Sequence, residues 1–260
     1  MPALERLFHP GDKDRLYPVI ARRVSCRGFA APLSTADWAA VSYLAGRYQL
    51  PGARLYLTRV EESLFTGTLL GPGRVTGCQA VAVVVASSSI PRARLYAGVL
   101  GEALCLEAAA MNLASCWITG TYRKKQLRVP LQPGEAIMGV IALGHPAEGV
   151  LQPGNRRRKP LEKLCKGDVR AWPEELVRAA RAVLMAPSAL NLQPWEMTVV
   201  SRRFCVDASE RAQLDLGIAL CHAEIALRCS HAWRFAAVRK DPAAWAQLDE
   251  YKEDNHHGAS

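Results

Sequence analysis

A chain of 260 residues, half of them apolar and 22% charged, can bury a full hydrophobic core as one large domain or two small ones. The formal net charge of +9 sits in short basic clusters, Arg22-Arg23, Arg123-Lys124-Lys125 and Arg156-Arg157-Arg158-Lys159, with no nucleic-acid module around them. No charged-then-apolar leader is visible, and the longest apolar runs, residues 80–86 and 136–143, are too short to span a bilayer, so neither a nucleic acid nor a membrane is the expected partner.

Residues 1–15 form a polar lead-in. A helical pattern over 16–23 runs into Arg23-Val24-Ser25-Cys26-Arg27-Gly28-Phe29, and a second helix starts at a Ser34 or Thr35 cap and continues to about Gly46, with Trp38, Val41 and Leu44 or Ala45 on one face. Pro51-Gly52 breaks the chain. Residues 55–60 alternate as a strand, a glycine-rich loop follows to Gly77, and 78–86 is a buried strand. After Pro91 a long helix is expected to about Leu113, then Cys116-Trp117-Ile118-Thr119-Gly120, a short basic helix and a strand over 136–143. Residues 144–155, rich in proline and glycine, read as a linker that divides the chain into halves 1–150 and 151–260. Beyond it come a basic segment (163–170), a helix (173–185), an irregular loop, a strand to Val200, a short strand near 204–206, a helix from about Ser209 to Cys229, a strand over 233–238 and a polar tail from Asp249. The eight cysteines form no Cys-x-x-Cys pair and lie mostly in apolar segments. That pattern favours packed, reduced thiols over disulfides or a metal site, and a cytoplasmic setting.

The order of elements repeats. Leu100-Gly101-Glu102-Ala103-Leu104-Cys105 stands against Leu216-Gly217-Ile218-Ala219-Leu220-Cys221, and the same offset of 116 residues pairs Trp117 with Trp233. Pro51 answers Pro194 at the larger offset of 143, so the first half carries extra residues, assigned to the loop 61–77. The reading is an internal duplication.

The irregular loop is Ala186-Pro187-Ser188-Ala189-Leu190-Asn191-Leu192-Gln193-Pro194-Trp195. Pro187 and Pro194 disfavour helical geometry at the residues before them and hold the backbone between in one shape. A well-capped turn would explain a lone Ser or Asn here. The whole string, however, resembles the Pro-Ser-x-x-Asn-x-Gln-Pro-Trp signature of the FMN-dependent nitroreductase family.

That resemblance implies an α+β fold, each half a small, mainly antiparallel sheet packed by helices. It also implies a flavin between two such units, which a duplicated chain would supply as an intramolecular pseudo-dimer acting as a monomer. Arg23-Val24-Ser25-Cys26-Arg27 looks like the family's Arg-x-Ser-x-Arg/Lys element. Alternate residues of an extended segment point one way, so Arg23, Ser25 and Arg27 can converge on one anion. The second half has Lys166-Gly167-Asp168-Val169-Arg170 there, where a carboxylate would repel phosphate. Trp117-Ile118-Thr119-Gly120 is similar to the family's Trp-x-x-Gly segment beside the flavin ring, Gly120 allowing close approach; its counterpart Trp233-Arg234-Phe235-Ala236 has lost the glycine. Residues 44–52, opposite the signature loop, lack its Ser and Asn, so one complete and one eroded site are expected. Arg156 and Arg158 fall where relatives place further phosphate-binding residues.

The resemblance therefore implies bound FMN, NAD(P)H as electron donor and a small-molecule acceptor such as a nitroaromatic or quinone. Phosphate falls to Arg23, Arg27, Arg156 and Arg158, the ribityl chain or ring edge to Ser25 and Asn191, and the ring to Pro187, Ser188, Trp117, Thr119 and Gly120. The flavin carries the chemistry, so no catalytic acid–base residue is expected. The alternative is a flavin- or nucleotide-binding protein that kept the fold and lost turnover. His222 and His231 have no carboxylate at ligand spacing and read as structural. No Gly-x-Ser-x-Gly elbow or Gly-x-Gly-x-x-Gly turn supports a hydrolase or a Rossmann domain.

Overall fold

Helix α1 (Pro10–Arg22) opens on a proline, whose missing N–H costs nothing in the first turn, and releases the chain at Arg23 in extended geometry toward strand β1 (Phe29–Ala31). Helix α2 (Thr35–Arg47) is set by a capping box: Ser34 Oγ accepts the Asp37 N–H at 3.1 Å and Asp37 Oδ2 accepts the Ser34 N–H at 3.1 Å. Then come β2 (Ala53–Arg59), β3 (Ala80–Ser87), α3 (Ala93–Ala110), β4 (Ala114–Ile118) and β5 (Glu135–Pro146). The second part holds α4 (Leu161–Leu164), β6 (Cys165–Lys166), α5 (Glu174–Met185), β7 (Trp195–Val200), β8 (Arg203–Ala208), α6 (Gln213–Ala226), β9 (His231–Phe235) and β10 (Ala244–Leu248). This computed structural model describes residues 4–67, 73–149, 157–201, 203–235 and 244–248.

Two five-stranded sheets form. In the first, antiparallel neighbours run β2-β3-β5-β4, with β1 extending the β4 edge of β5; in the second they run β7-β8-β10-β9, with β6 added in parallel to β7. The shared order has the same connectivity in each sheet: a strand pair, a long helix, then two strands of which the later lies inside. Residues 60–79 separate β2 from β3, whereas β7 and β8 are joined across residues 201–202.

Strand β3 is buried on both faces. Ala80, Ala82, Val84 and Ala86 pack toward α2 and α3, while Val81, Val83 and Val85 pack toward Phe29, Phe65 and Val75. Helices α3 and α6 are apolar nearly all round and lie in the interior, packed on each other. Glycines set their approach. A Cβ on Gly98 would lie 2.2 Å from the Leu214 carbonyl oxygen, and one on Gly217 would lie 1.9 Å from that of Leu95. Residues 98 and 214 are 116 apart, the offset read from the sequence.

The expected elements are present with shifted ends. The linker is shorter at its start, because β5 runs on to Pro146, where β1 pairs with it; residues 150–156 lie outside the described residues. The last long helix begins as a 3-10 turn over Glu210–Ala212 and ends at Ala226. The strand expected over 233–238 is His231–Phe235, with 236–238 and the tail from Asp249 outside the described residues. Strand β10 was not expected. Its inward residues Ala244 and Ala246 carry little β signal, and it exists because β8 and β9 pair with it on both sides.

Gly217→Val should lose at least about 3 kcal/mol in chemical denaturation, because backbone rather than a movable side chain blocks the new atoms. Gly46→Ala, in α2 with open space around it, should be stabilising by up to about 1 kcal/mol. Equal effects of the two substitutions would contradict this account of the helix contact.

Candidate functional site

Helix α5 stops where Pro187 forces Ala186 into extended geometry, φ −62° and ψ 139°. The following loop places Leu190, Asn191 and Gln193 in the left-handed region, with φ of 50°, 56° and 47°. For Leu190 that geometry costs on the order of 1 kcal/mol, so hydrogen bonds must hold it. Ser188 Oγ accepts the Gln193 N–H at 2.8 Å, and Asp215 Oδ1 on α6 accepts the Ala189 N–H at 3.0 Å. Burial raises the Asp215 carboxyl above its ordinary range, against the pull of that N–H and of Arg94. Leu190 and Leu192 remain exposed at 78% and 58%.

The basic run docks on this loop. Arg158 donates to Asn191 Oδ1 at 2.6 Å and to the Met185 carbonyl at 3.0 Å, while Asn191 Nδ2 donates to the Arg157 carbonyl at 2.9 Å. The Lys159 N–H donates to Gln193 Oε1 at 3.0 Å, and its ammonium to the Leu192 carbonyl at 2.7 Å. Burial, and then the neighbouring positive charge of Arg23, push the Arg158 guanidinium below its ordinary pKa; Glu102 acts the other way. Arg23 and Arg158, distant in sequence, are therefore electrostatic neighbours. Asn191 joins them through Arg158.

Arg23 is 2% exposed and turned inward, its Nε 3.1 Å from Glu102 Oε1. Glu102, on α3, is wholly buried. It also accepts the Trp117 indole N–H at 2.9 Å and lies 2.8 Å from His222 Nε2 on α6, whose Nδ1 faces the Ala182 carbonyl at 2.9 Å. Burial would raise the Glu102 pKa, but Arg23, His222 and Trp117 outweigh it and hold the carboxyl below its ordinary value.

Ser25 is exposed beside Ser115, to which it bridges in parallel. Arg27 is less buried than Arg23, donates to the Gly73 carbonyl at 3.2 Å, and lies near enough to Cys116 to pull on its thiol. Thr119 and Gly120 are exposed at the end of β4, where a Cβ on Gly120 would meet no protein atom within 4 Å. Pro187 is buried, Ser188 half-buried and Asn191 exposed. Arg156 lies outside the described residues. The side chains of Arg23, Ser25 and Arg27 thus alternate as expected only in part, because Arg23 is committed to Glu102.

The described residues fit an anionic group. Arg158 Nε and, at the loop's end, Trp195 Nε1 are buried without a hydrogen-bond partner among the described residues. Among the described residues no cluster of three or more His, Cys, Asp or Glu suits a metal ion. No described helix is long and apolar enough to cross a membrane. All eight cysteines are free thiols and only Cys229 is not buried.

The counterpart region differs. Tyr48, in the segment opposite the signature loop, is buried and donates to Glu107 at 2.5 Å, and Arg15 of α1 grips the same carboxylate with two bonds of 2.7 Å. Trp233 donates to Glu224 at 2.7 Å, joined there by Lys13 at 2.5 Å and His231 at 2.8 Å. Asp168 accepts the Arg170 N–H at 3.0 Å, capping a short turn. Both histidines read as structural thus have a carboxylate partner that their sequence spacing did not reveal, Glu102 for His222 and Glu224 for His231.

Residues 15–227 match a family model described as "Putative TM nitroreductase". A "putative nitroreductase" from Thermotoga maritima aligns over 90% of this chain and 93% of its own, with 20% identity and a TM-score of 0.65, which shows the shared fold. A nitroreductase with bound FMN from Bacteroides fragilis covers 59% of this chain and 98% of its own at 14% identity and a TM-score of 0.46. An FMN and NADPH-dependent nitroreductase from Sphigopyxis sp. strain HMH covers 60% and 99% at 15% identity and 0.43. No curated protein matches the sequence.

His231 supplies a pH test. Burial would lower its pKa, but its bonds to the Cys229 carbonyl and Glu224 raise it from the ordinary 6.5 to about 10. A raised folded-state value means stability fully present below pH 6.5 and lost as pH climbs through about 10. His231→Gln should therefore cost about 2 kcal/mol in denaturant unfolding at pH 6 and progressively less toward pH 10. A deficit independent of pH would refute the charged pair.

Proposed function

The chain belongs to the TM nitroreductase family, and from that premise we propose that it is an FMN-dependent oxidoreductase, reducing a small acceptor such as a nitroaromatic or quinone with electrons from NAD(P)H. The observation that carries the reading is Arg158, bonded to Asn191 of the signature loop and charge-coupled to Arg23 of the N-terminal arm, with one nitrogen lacking a partner among the described residues. Arg23 has its carboxylate in Glu102, whereas Arg158 has no ion pair among the described residues; a half-buried guanidinium without one favours an anion, and a flavin phosphate is such an anion.

FMN, when bound, supplies the two-electron redox chemistry between nicotinamide and acceptor. The chain's own residues anchor and orient it. Arg158 and Arg27 neutralise phosphate, and Arg156 joins them by its place in the same run. Arg23, held by Glu102, orders the arm that carries Ser25 and Arg27. The Ser25 hydroxyl and Asn191 amide hydrogen-bond the ribityl chain or ring edge. Thr119, Gly120 and Trp117 line one side of the ring, with Pro187 and Ser188 fixing the loop on the other. Open space at Gly120 and the exposure of Leu190 and Leu192 leave room for a second substrate.

The halves 1–150 and 151–260 form a pseudo-dimer in this reading, supported by the common strand order and by the 116-residue offset at the helix crossing. Only one of the two equivalent places is then a flavin site. The other is filled by the Arg15–Glu107–Tyr48 and Lys13–Glu224–His231 clusters. Eight free thiols suit a reducing, cytoplasmic setting.

A second reading is a flavin or nucleotide binder that kept the fold and lost turnover, with Arg23 a structural partner of Glu102 rather than a phosphate ligand. Anaerobic stopped-flow separates the two. Rapid loss of flavin absorbance on mixing with NADPH or NADH supports the oxidoreductase; retained colour supports the binder. Arg158→Ala should fold, by circular dichroism, and bind FMN at least about tenfold more weakly. Unchanged FMN affinity would remove Arg158 from the site.

A further inference from the structure

The basic cluster at residues 123–128 is not used by the proposed flavin site. It forms part of the wall of a cavity of about 630 Å³, between the end of β2 with residues 60–64 on one side and residues 125–128 on the other. That volume is within the range of small-molecule sites. Arg59, Lys125 and Arg128 line it against one carboxylate, Glu61, which already accepts the Ser63 hydroxyl at 3.5 Å. Among the described residues none of these three cations has an ion pair, whereas Arg15, Arg47 and Arg54 each face a carboxylate. Val60, Leu64 and Leu127 give the cavity an apolar portion.

The wall is held in place. The Arg123 N–H donates to the Leu64 carbonyl at 2.8 Å, the Thr66 N–H to the Thr121 carbonyl at 2.9 Å, and the Arg123 guanidinium to the Ser63 carbonyl. Phe65 bridges to Tyr122. From the other side Glu62 accepts the Gly77 N–H at 3.2 Å through its carboxylate. These bonds tie the cavity to the segment that directly follows Thr119 and Gly120.

We propose that this cavity binds a nucleotide-sized organic anion by its phosphate, through Arg59, Lys125 and Arg128, with the apolar residues receiving the ligand's uncharged body. The lining alone argues for the anion. That the phosphate belongs to the nicotinamide donor, rather than to a free nucleotide, rests on the oxidoreductase reading.

Arg59 provides a readout that needs no flavin. Its guanidinium stacks 4.9 Å over the Trp38 ring, and it lines both the large cavity and an adjoining one of about 80 Å³ that includes Trp38. Phosphate binding to Arg59 should change Trp38 emission. Titration of the purified protein with ADP should give a saturable fluorescence change that is absent in Trp38→Phe. The Lys125→Ala/Arg128→Ala double variant, altered only at exposed positions, should raise the Kd for ADP about tenfold or more, while Arg158→Ala leaves it unaltered. No titration, or a titration lost in Arg158→Ala and kept in the double variant, overturns the proposal, the second by placing the anion in the flavin crevice. In FMN-loaded protein, a raised KM for NADH and NADPH in the double variant identifies the donor, whose diphosphate ADP shares, as the source. Unchanged KM values with weakened ADP binding identify a free nucleotide. A chain that binds ADP here but no FMN would refute the oxidoreductase reading and leave the cavity assignment standing.

Discussion

Everything in this molecule leans on the contact between α3 and α6. The two helices approach until backbone meets backbone at Gly98 and Gly217, so the line between them is closed to water. Across it runs a buried polar contact: Glu102 of α3 lies 2.8 Å from His222 of α6, both fully buried. A buried carboxylate is tolerated only when its oxygens are satisfied, and Glu102 recruits Trp117 from β4 and Arg23 from the end of α1 to do so. Two of the pieces assigned to the flavin site are thus positioned from below by one side chain that the site itself need not touch.

The same physics has the opposite outcome on the other side. Glu107 and Glu224 are also buried carboxylates, Glu107 met by Arg15 and Tyr48 and Glu224 by Lys13 and His231. Helix α1 contributes Arg15 to the Glu107 cluster and Lys13 to the Glu224 cluster, acting as a strap across α3 and α6. Ion pairs consume the basic groups Lys13 and Arg15 in one place, whereas Arg158 in the other has no ion pair among the described residues.

Much of this was legible in the sequence where the signal is local. Proline at 187 ends a helix for steric reasons, Ser34 and Asp37 make a capping box at fixed spacing, and an unbroken run such as 80–86 is a strand buried on both faces. The signature loop was readable as a site candidate, and the docking of Arg158 upon Asn191 joins two segments singled out separately. What was not legible is whatever depends on distant partners. Strand β10 is stabilised by its neighbours rather than its residues. The partnership of Glu102 with His222 spans 120 positions, and its one local hint is the presence of ionisable residues inside two largely apolar helices. Arg23 looked like a surface phosphate ligand because alternation predicts direction but not whether a buried carboxylate waits on that side.

The central claim is a single flavin place between two related halves of one chain. Its most direct test is the cofactor content of the protein after saturation with FMN and removal of the excess, read as flavin absorbance per chain together with the mass in solution from sedimentation. The account predicts one FMN per chain, independent of whether chains associate. Two per chain, one per pair of chains, or none would contradict it.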